Sequence, residues 1–385
     1  MNFSWSSELE DVRTRIKSFL ESTLPDDWDS IACHGPGSAV QIRFSREYCP
    51  KLAAAGLLVP HWPRQHGGRD ASVWEHFIIG EELWAAGEPR AAQYMNVNWI
   101  GPTIMRYGTH RQQRELLPPM TRGAAVWCQG FSEPGAGSDL ASLRTRADRV
   151  GDEYVVNGSK IWTSYASEAE HCFLLARTSP DRKAGIGIFI VPMSAPGIVV
   201  RKIPSLVGEG DIHEVFFNDV RLPAECRLGE EGQGWEIILY SLQNERLGIP
   251  RYAFARRTLD RAVQYLQSTP EASGPDCDSR AGLALAACEA ARLLVYQVVD
   301  RRQRGQPDAG GGAIARTAVV AAERAVMEFV LEFLPEQLAS GGNPLFRTHH
   351  QRAIAVGVAS GAAEIQLDLV ARAALDLPRE KPHAA

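Results

Sequence analysis

The chain has 385 residues, 45% of them hydrophobic and 23% charged, which at roughly 150 residues per domain predicts two or three domains with a substantial core. This composition excludes a small disulfide-stapled scaffold and an intrinsically disordered chain. The 41 basic and 46 acidic residues leave a net charge of −5, so the chain lacks the broad positive field that nucleic acids bind, and we expect no nucleic acid partner.

The cysteines and the N-terminal segment predict a cytoplasmic protein. Seven cysteines are scattered without a Cys-x-x-Cys pair, and an odd number so widely spread indicates free thiols in a reducing compartment. The N-terminus lacks the basic start and continuous apolar stretch of a signal peptide. No later apolar run approaches the roughly 20 residues that a bilayer requires, so we expect no membrane span.

Apolar residues recur at helical spacing through the first part of the chain, residues 1–122. This periodicity predicts an N-terminal all-helical domain. Its predicted helices lie at 7–20, 44–55, 73–87, 91–106 and 110–120.

Short alternating or β-branched runs bounded by Gly, Pro, Asn or Asp follow in residues 123–230, and predict a small β domain. The runs lie at 153–157, 185–191, 197–200 and 214–217. Both residues of Asn157-Gly158 tolerate positive φ, so this pair predicts a two-residue hairpin turn. The sheet is therefore expected to be antiparallel.

Helical periodicity returns in residues 231–385. Long segments joined by short turn-rich connections predict a C-terminal four-helix bundle. The four predicted helices lie at 235–267, 279–304, 313–339 and 346–376. The fold class is therefore α+β, with a helical domain, a small antiparallel β domain and a helical bundle in chain order.

Two strings in the β domain stand out. The first, Trp127–Asp139, runs from a strand into a Pro/Gly turn where Gly135 and Gly137 let the backbone approach a ligand closely, although a tight structural turn explains it equally well. It is not a dinucleotide fingerprint, because position 140 is leucine. In the second string, Asn157–Ser164, the indole of Trp162 either fills a core or stacks beside an aromatic cofactor; from the residues alone, the core is favoured.

Both strings, in this order and separation, closely resemble those of the acyl-CoA dehydrogenase family of flavoproteins. The resemblance extends over essentially the whole chain through three further stretches, which are Pro60–Pro63, Glu214–Pro223 and Glu364–Gln366. Within the family the chain looks most like a bacterial branch whose members often act on bulky, dicarboxylic or steroid-side-chain acyl-CoAs. The order of helical, β and bundle domains also resembles that of the family.

The resemblance implies an FAD-dependent enzyme that converts an acyl-CoA to the trans-2-enoyl-CoA and passes electrons to an electron-transfer flavoprotein. By the resemblance, Ser138 and Arg246 would contact the acyl-CoA. The residues expected at the flavin are Gln129, Phe131, Ser132, Trp162, Ser164, Gly341, Gly342 and Glu364. No metal site is expected, because no metal-ligand spacing of His and Cys is present.

The reaction requires a base that removes the α-proton, and a desolvated carboxylate is suited to this role. Many family members carry the base where this chain has Ser360, whereas others carry it in a Glu-Arg pair of the first bundle helix, which corresponds here to Glu245-Arg246. Glu245 is therefore the candidate base. The alternatives are an ordinary solvated ion pair at this position, and Glu364 as a rival carboxylate.

Part of the family pattern is missing. The Arg-x-x-Phe-Gly motif that usually reaches a neighbouring subunit's flavin is absent from residues 267–280, and the C-terminal Gly-Thr is Gly361-Ala362. One physical account is an oligomer with a related chain that supplies the missing groups. Two other functions remain open: a dehydrogenase or oxidase of a carrier-protein-bound acyl group, and a non-catalytic subunit of a heteromeric dehydrogenase.

Overall fold

The computed structural model describes residues 5–206, 212–246, 250–268, 274–306, 308–339, 341–359 and 361–378. The described residues fall into two compact units. One unit is built from 31–71 and 89–245, and the other from 1–30, 72–88 and 246–385. The three domain ranges predicted from the sequence remain a prediction.

The described α-helices follow one another in chain order. They are α1 (Ser7–Thr23), α2 (Trp28–Ala32), α3 (Ala39–Ala54), α4 (Val73–Ala85), α5 (Gln93–Met95), α6 (Gly101–Tyr107), α7 (His110–Thr121), α8 (Gly234–Arg246), α9 (Tyr252–Gln267), α10 (Pro275–Gln303), α11 (Ala309–Phe333), α12 (Pro344–Ile354) and α13 (Ala363–Leu369). A π-helical turn, Asn96–Ile100, joins α5 to α6.

Hydroxyl side chains fix where the N-terminal helices begin. Ser6, Ser38 and Ser72 each accept a hydrogen bond from a backbone N–H in the first turn of α1, α3 and α4. Thr109 and Gln112 form a capping box at the start of α7. Because such caps satisfy backbone donors that have no partner inside the helix, α3 begins at Ala39, earlier than the predicted residue 44.

The β-strands form one twisted sheet in the unit that contains residues 89–245. They are β1 (Trp127–Gly130), β2 (Arg146–Val150), β3 (Glu153–Ser164), β4 (His171–Arg177), β5 (Ile186–Pro192), β6 (Ile198–Lys202), β7 (Ile212–Pro223) and β8 (Arg227–Leu228). The strand order is β6-β7-β3-β2-β4-β5-β8, and β1 pairs with β4. Pairing is mainly antiparallel, but β1 and β2 both run parallel to β4, so the sheet is mixed rather than purely antiparallel.

The predicted hairpin turn at Asn157-Gly158 is wrong. Both residues lie inside β3, where Asn157 pairs with β2 and Gly158 pairs with β7. The two-residue turn between β2 and β3 is instead formed by Gly151 and Asp152, which separate the paired Val150 and Glu153. Gly158 has φ +148°, and a Cβ there would lie 2.7 Å from the Thr145 Cα. Glycine is needed at 158 for this close approach and not for a turn.

The helical unit has an apolar core built by α9, α10, α11 and α12 together with Phe77 of α4. The predicted helix 346–376 is wrong, because α12 ends at Ile354 and α13 begins at Ala363. Gly357 and Gly361 between them have φ values of +86° and +94°, which a right-handed helix excludes. The predicted helix 235–267 is likewise divided between α8 and α9, with residues 247–249 outside the described part of the chain.

Helix α10 is apolar on two sides. One side packs into the core through residues such as Ala291 and Val295, and the opposite side exposes Leu283 and Leu293 by 63% and 44%. An 18-residue window of this helix has mean hydropathy 1.5, with a third of it buried, so by length and composition it is the one candidate for a membrane span within the described residues. Part of its surface packs in the core of the helical unit.

Candidate functional site

The first string places three predicted flavin residues at the carboxyl end of β1. The Gln129 Oε1 atom accepts a hydrogen bond from the Trp99 Nε1 at 2.6 Å, which fixes the carboxamide. Phe131 is buried, with its ring centroid 5.8 Å from that of Phe173. Ser132, the next residue, is half-buried. Gln129 and Ser132 are therefore partly exposed, whereas Phe131 between them in the chain is buried.

Trp162 is held in an unusual backbone conformation. The pairing of β3 with β7 shifts between Lys160 and Thr163, which marks a bulge, and Trp162 in this bulge has φ +59°. Its side chain is 58% exposed, so the prediction of a core position, favoured from the residues alone, is wrong. A large exposed aromatic residue in the left-handed region costs roughly 1–3 kcal/mol, and such residues cluster at binding sites.

The structure brings the two strings into contact. The Ile161 backbone N–H donates to the Ser132 carbonyl oxygen at 2.9 Å, so Trp162 follows directly after a residue bonded to the first string. Ser164, at the end of β3, is half-buried and pairs with Ile212 of β7. Ser132 and Trp162 thus belong to two segments that are joined by a backbone hydrogen bond.

Ser138, the predicted acyl-CoA contact, lies on an exposed loop near the end of the first string. Glu133 and Ala136 form a tight turn with two reciprocal backbone hydrogen bonds of 2.9 and 3.0 Å. Cβ atoms added at Gly135 or Gly137 would meet no other atom within 4 Å. The loop therefore leaves room for a ligand to approach its backbone.

The predicted base is the penultimate residue of α8. Glu245 is half-buried there, next to the 9% exposed Asn244. The same helix is tied to α6 by a 2.9 Å hydrogen bond from the Tyr107 hydroxyl to Glu236. Arg246 ends α8, and its side chain lies outside the described part of the structure.

The remaining predicted flavin residues belong to the other compact unit. Gly341 has φ +88° in the turn before α12, and a Cβ on Gly342 would lie 2.3 Å from the Gln337 carbonyl oxygen. Glu364 is exposed in the first turn of α13. Ala362 stands at the N-cap of α13 and makes no side-chain capping bond; a threonine there would supply one. Ser360 lies outside the described residues.

Two residues that hold the site together were not predicted from the sequence. Lys160 of β3 is fully buried, and its ammonium forms an ion pair with Glu133 of the first string at 2.8 Å. Trp99, whose indole binds Gln129, comes from the π-helical turn between α5 and α6. The sequence gives no clear signal for the ion pair, because β3 also contains Glu153, Asn157 and other polar residues.

The side chains present fit a flavin. An exposed indole suits one face of a planar heteroaromatic ring, and the hydroxyls of Ser132 and Ser164 with the Gln129 amide can bind its polar edge. Among the residues that the structure describes, no group of three or more His, Cys, Asp or Glu side chains could hold a metal ion.

Comparison with known proteins identifies the family. Family models for the N-terminal, middle and C-terminal domains of acyl-CoA dehydrogenases match residues 6–124, 128–220 and 232–375. Acyl-CoA dehydrogenase IpdE1 of Mycobacterium tuberculosis is 32% identical over 384 residues, covering 97% of this chain and 99% of that protein. Human mitochondrial short-chain specific acyl-CoA dehydrogenase is 30% identical over 335 residues, covering 83% of this chain and 80% of that protein.

Solved structures agree with these sequence matches. The Tcur3481-Tcur3483 steroid ACAD has a TM-score of 0.92 and 29% identity, covering 99% of this chain and 100% of that chain. The ChsE4-ChsE5 complex of Mycobacterium tuberculosis has a TM-score of 0.89 and 28% identity, with the same coverage. The protein belongs to the acyl-CoA dehydrogenase family and is an enzyme of that class. The predicted family and α+β fold class are thereby confirmed.

Proposed function

We propose that this protein catalyses the FAD-dependent α,β-dehydrogenation of an acyl-CoA to the trans-2-enoyl-CoA, with electrons passing to an electron-transfer flavoprotein. The observation that carries the proposal is Trp162, exposed at positive φ in a bulge and joined to the Ser132 segment. With 58% of its surface exposed, the indole gains little from packing in the sheet. A planar ligand stacked on it supplies the reason.

Each residue then has a definite task. Trp162 covers one side of the flavin, while Gln129, Ser132 and Ser164 bind its polar edge and exclude water. Bound FAD would accept the β-hydrogen of the substrate as hydride. Glu245 removes the α-proton, which is acidic because it is adjacent to the thioester carbonyl. Ser138 and Arg246 are proposed to hold the acyl-CoA in position for this transfer.

The substrate is proposed to be a bulky acyl-CoA such as a steroid side-chain thioester. The support is the resemblance to the steroid ACAD, which extends over 99% of this chain. The competing substrate is an acyl group on a carrier protein. Stopped-flow flavin reduction by the CoA thioester and by the same acyl group on a carrier protein distinguishes the two, because only the true substrate should reduce the flavin rapidly at low concentration.

A second proposal concerns assembly: the active enzyme is an oligomer with a related chain. The family's Arg-x-x-Phe-Gly motif is missing from this sequence, and α13 begins at an alanine that cannot cap it. The exposed leucines of α10 offer an apolar surface for a second chain. The similar ChsE4-ChsE5 structure is a complex of two named chains, which supports a heteromer.

The amount of FAD per chain tests both proposals. We expect little FAD on the chain purified alone, and restoration of FAD after co-expression with a related chain, measured by visible absorption and native mass. Full FAD occupancy of a homomer would contradict the heteromer and leave the dehydrogenase proposal standing. Absence of FAD even with the partner would contradict the dehydrogenase proposal and favour a non-catalytic subunit.

Replacing Trp162 by glycine should separate flavin binding from stability. Trp162→Gly removes the stacking surface but suits φ +59°, so we expect FAD affinity to fall about tenfold or more while the free energy of unfolding stays within about 1 kcal/mol of the unmodified protein. Flavin titration and urea unfolding measure the two effects. Asp219→Gly, at φ +49° on β7, is the matched control and should leave FAD affinity unchanged.

A further inference from the structure

A buried ion pair joins the two strings, with Glu133 in the first and Lys160 in the second. Lys160 is fully buried, and its Nζ donates to Glu133 Oε1 at 2.8 Å and to the Phe131 carbonyl oxygen at 3.1 Å. The two bonds join β3 to the segment that carries Phe131 and Ser132. The ammonium has three protons to donate, and two of them are donated to acceptors within residues 131–133.

The carboxylate of Glu133 closes the loop that follows. Its Oε2 accepts from the Arg144 backbone N–H at 2.6 Å, and its Oε1 accepts from the Thr145 backbone N–H at 2.9 Å. One carboxylate therefore ties residue 133 to residues 144 and 145. The loop between them carries Ser138. The Arg177 guanidinium also holds this loop, by donating to the Ala141 and Leu143 carbonyl oxygens at 2.8 and 3.0 Å. The Glu133 carboxylate is the group that joins the two ends of the loop to each other.

Each member of the ion pair opposes the effect of burial on the pKa of the other. Burial alone would raise the pKa of Glu133, but the charge of Lys160 and the hydrogen bonds from Thr145 and Arg144 outweigh it and hold that pKa below its ordinary value. Burial lowers the pKa of Lys160, and the adjacent Glu133 opposes this effect.

Stability does not explain why the pair is present. Replacing a buried ion pair by apolar side chains is often neutral or stabilising, because desolvation offsets the attraction between the charges. The sheet already has an apolar core that includes Val156, Phe189 and Phe217. What apolar residues cannot supply is a charged acceptor for two backbone N–H groups and a donor for a carbonyl at fixed positions.

We propose that Lys160 and Glu133 are positioning residues that fix the Phe131–Thr145 segment, so that Ser132 meets the flavin and Ser138 meets the acyl-CoA. This inference rests on the proposed function for the identity of the two ligands. Neither residue is proposed to contact substrate or cofactor. The pair holds the backbone from which the contacting side chains project.

The test compares Lys160→Met, Glu133→Gln and the double variant in the full-length protein with any partner it requires. We expect each single variant to weaken FAD binding about ten- to hundredfold, the loss expected when hydrogen bonds to a charged group are removed. The amides of Arg144 and Thr145 should exchange hydrogen faster in the flavin-free protein, and the visible spectrum of bound flavin should lose fine structure. The double variant should recover thermal stability without recovering FAD affinity.

A matched control is the exposed ion pair of Arg221 with Glu153 in the same sheet. Arg221→Met should leave FAD affinity, the flavin spectrum and amide exchange unchanged. If Lys160→Met unfolds the protein, the same measurements can be made on Glu133→Gln. This variant is milder, because glutamine keeps one acceptor oxygen. Variants with a lower melting temperature but unchanged amide exchange and FAD affinity would overturn the inference. If the unmodified protein binds no FAD, the proposed function fails, whereas the exchange measurement still tests the ion pair.

Discussion

Glu245→Gln should abolish turnover while leaving flavin and acyl-CoA binding intact. Glutamine has nearly the same shape as glutamate but cannot accept the α-proton, and removing a positioned general base typically costs about 10²–10⁴-fold in rate. Glu245 occupies the penultimate position of α8, half-buried beside Asn244. Stopped-flow measurement of flavin reduction by a steroid-side-chain acyl-CoA, with separate titrations of FAD and substrate, measures rate and binding independently.

A second carboxylate on the same helix provides the control. Glu236 lies in the first turn of α8 and accepts a hydrogen bond from the Tyr107 hydroxyl, so Glu236→Gln should retain most of the activity. Rapid flavin reduction in Glu245→Gln would remove this residue from the mechanism. Glu364 would then be the next carboxylate to replace, because it is the rival that the sequence offers.

The second large effect concerns acid stability and arises from His349. This residue of α12 is 1% exposed, with its ring centroid 5.8 Å from that of Phe254. Burial, together with the positive charges of Arg251 and Arg352 and the nearby His350, lowers the pKa of His349 to about 3. The folded protein therefore holds this imidazole neutral at pH values where an unfolded chain would protonate it.

The sign of the pH dependence follows from linkage. Between pH 6.5 and about 3 the unfolded chain binds one more proton at His349 than the folded protein does, so stability falls as the pH falls through this interval. Above pH 6.5 the imidazole is neutral in both the folded and the unfolded state and does not reduce stability. As the pH falls to 3, the free energy of unfolding decreases by roughly 4 kcal/mol. Urea unfolding at a series of pH values from 7 to 4 should show this decline.

Phenylalanine at position 349 should flatten that dependence. His349→Phe removes the titrating group and keeps an aromatic ring beside Phe254, so its stability should decline less steeply between pH 6.5 and 4 than that of the unmodified protein. His110→Gln, at an exposed position in the first turn of α7, should have the unmodified slope. Identical slopes for His349→Phe and the unmodified protein would show that His349 does not govern acid unfolding.

Periodicity predicted most of the helices, because helices such as α1 and α7 bury one face and begin at a side-chain cap. Errors arose where a distant segment decides the local conformation. Asn157-Gly158 has the composition of a hairpin turn, but glycine is needed at 158 because the Thr145 backbone lies too close for a Cβ atom. Gly357 and Gly361 interrupt what otherwise has the periodicity of one long helix.

The site was predictable only in part for the same reason. Trp162 and Ser132 were identified as flavin residues through the resemblance. The hydrogen bond between Ile161 and Ser132 that joins their segments cannot be read from spacing along the chain. Lysines usually lie at the surface and are rarely fully buried unless paired, so the sequence alone would place Lys160 at the surface. Its partner, Glu133, lies 27 residues away in the chain, so only the folded structure joins them.

The bulge at Trp162 matters for any engineering of this enzyme. A redesign guided by folding stability alone would place glycine or asparagine at φ +59°, since these residues adopt the left-handed region at least cost. That choice would relieve the backbone at little net change in stability and would remove the aromatic surface on which the proposed chemistry depends. Thermostabilised versions of this protein should therefore keep Trp162 fixed and seek their gains at other positions.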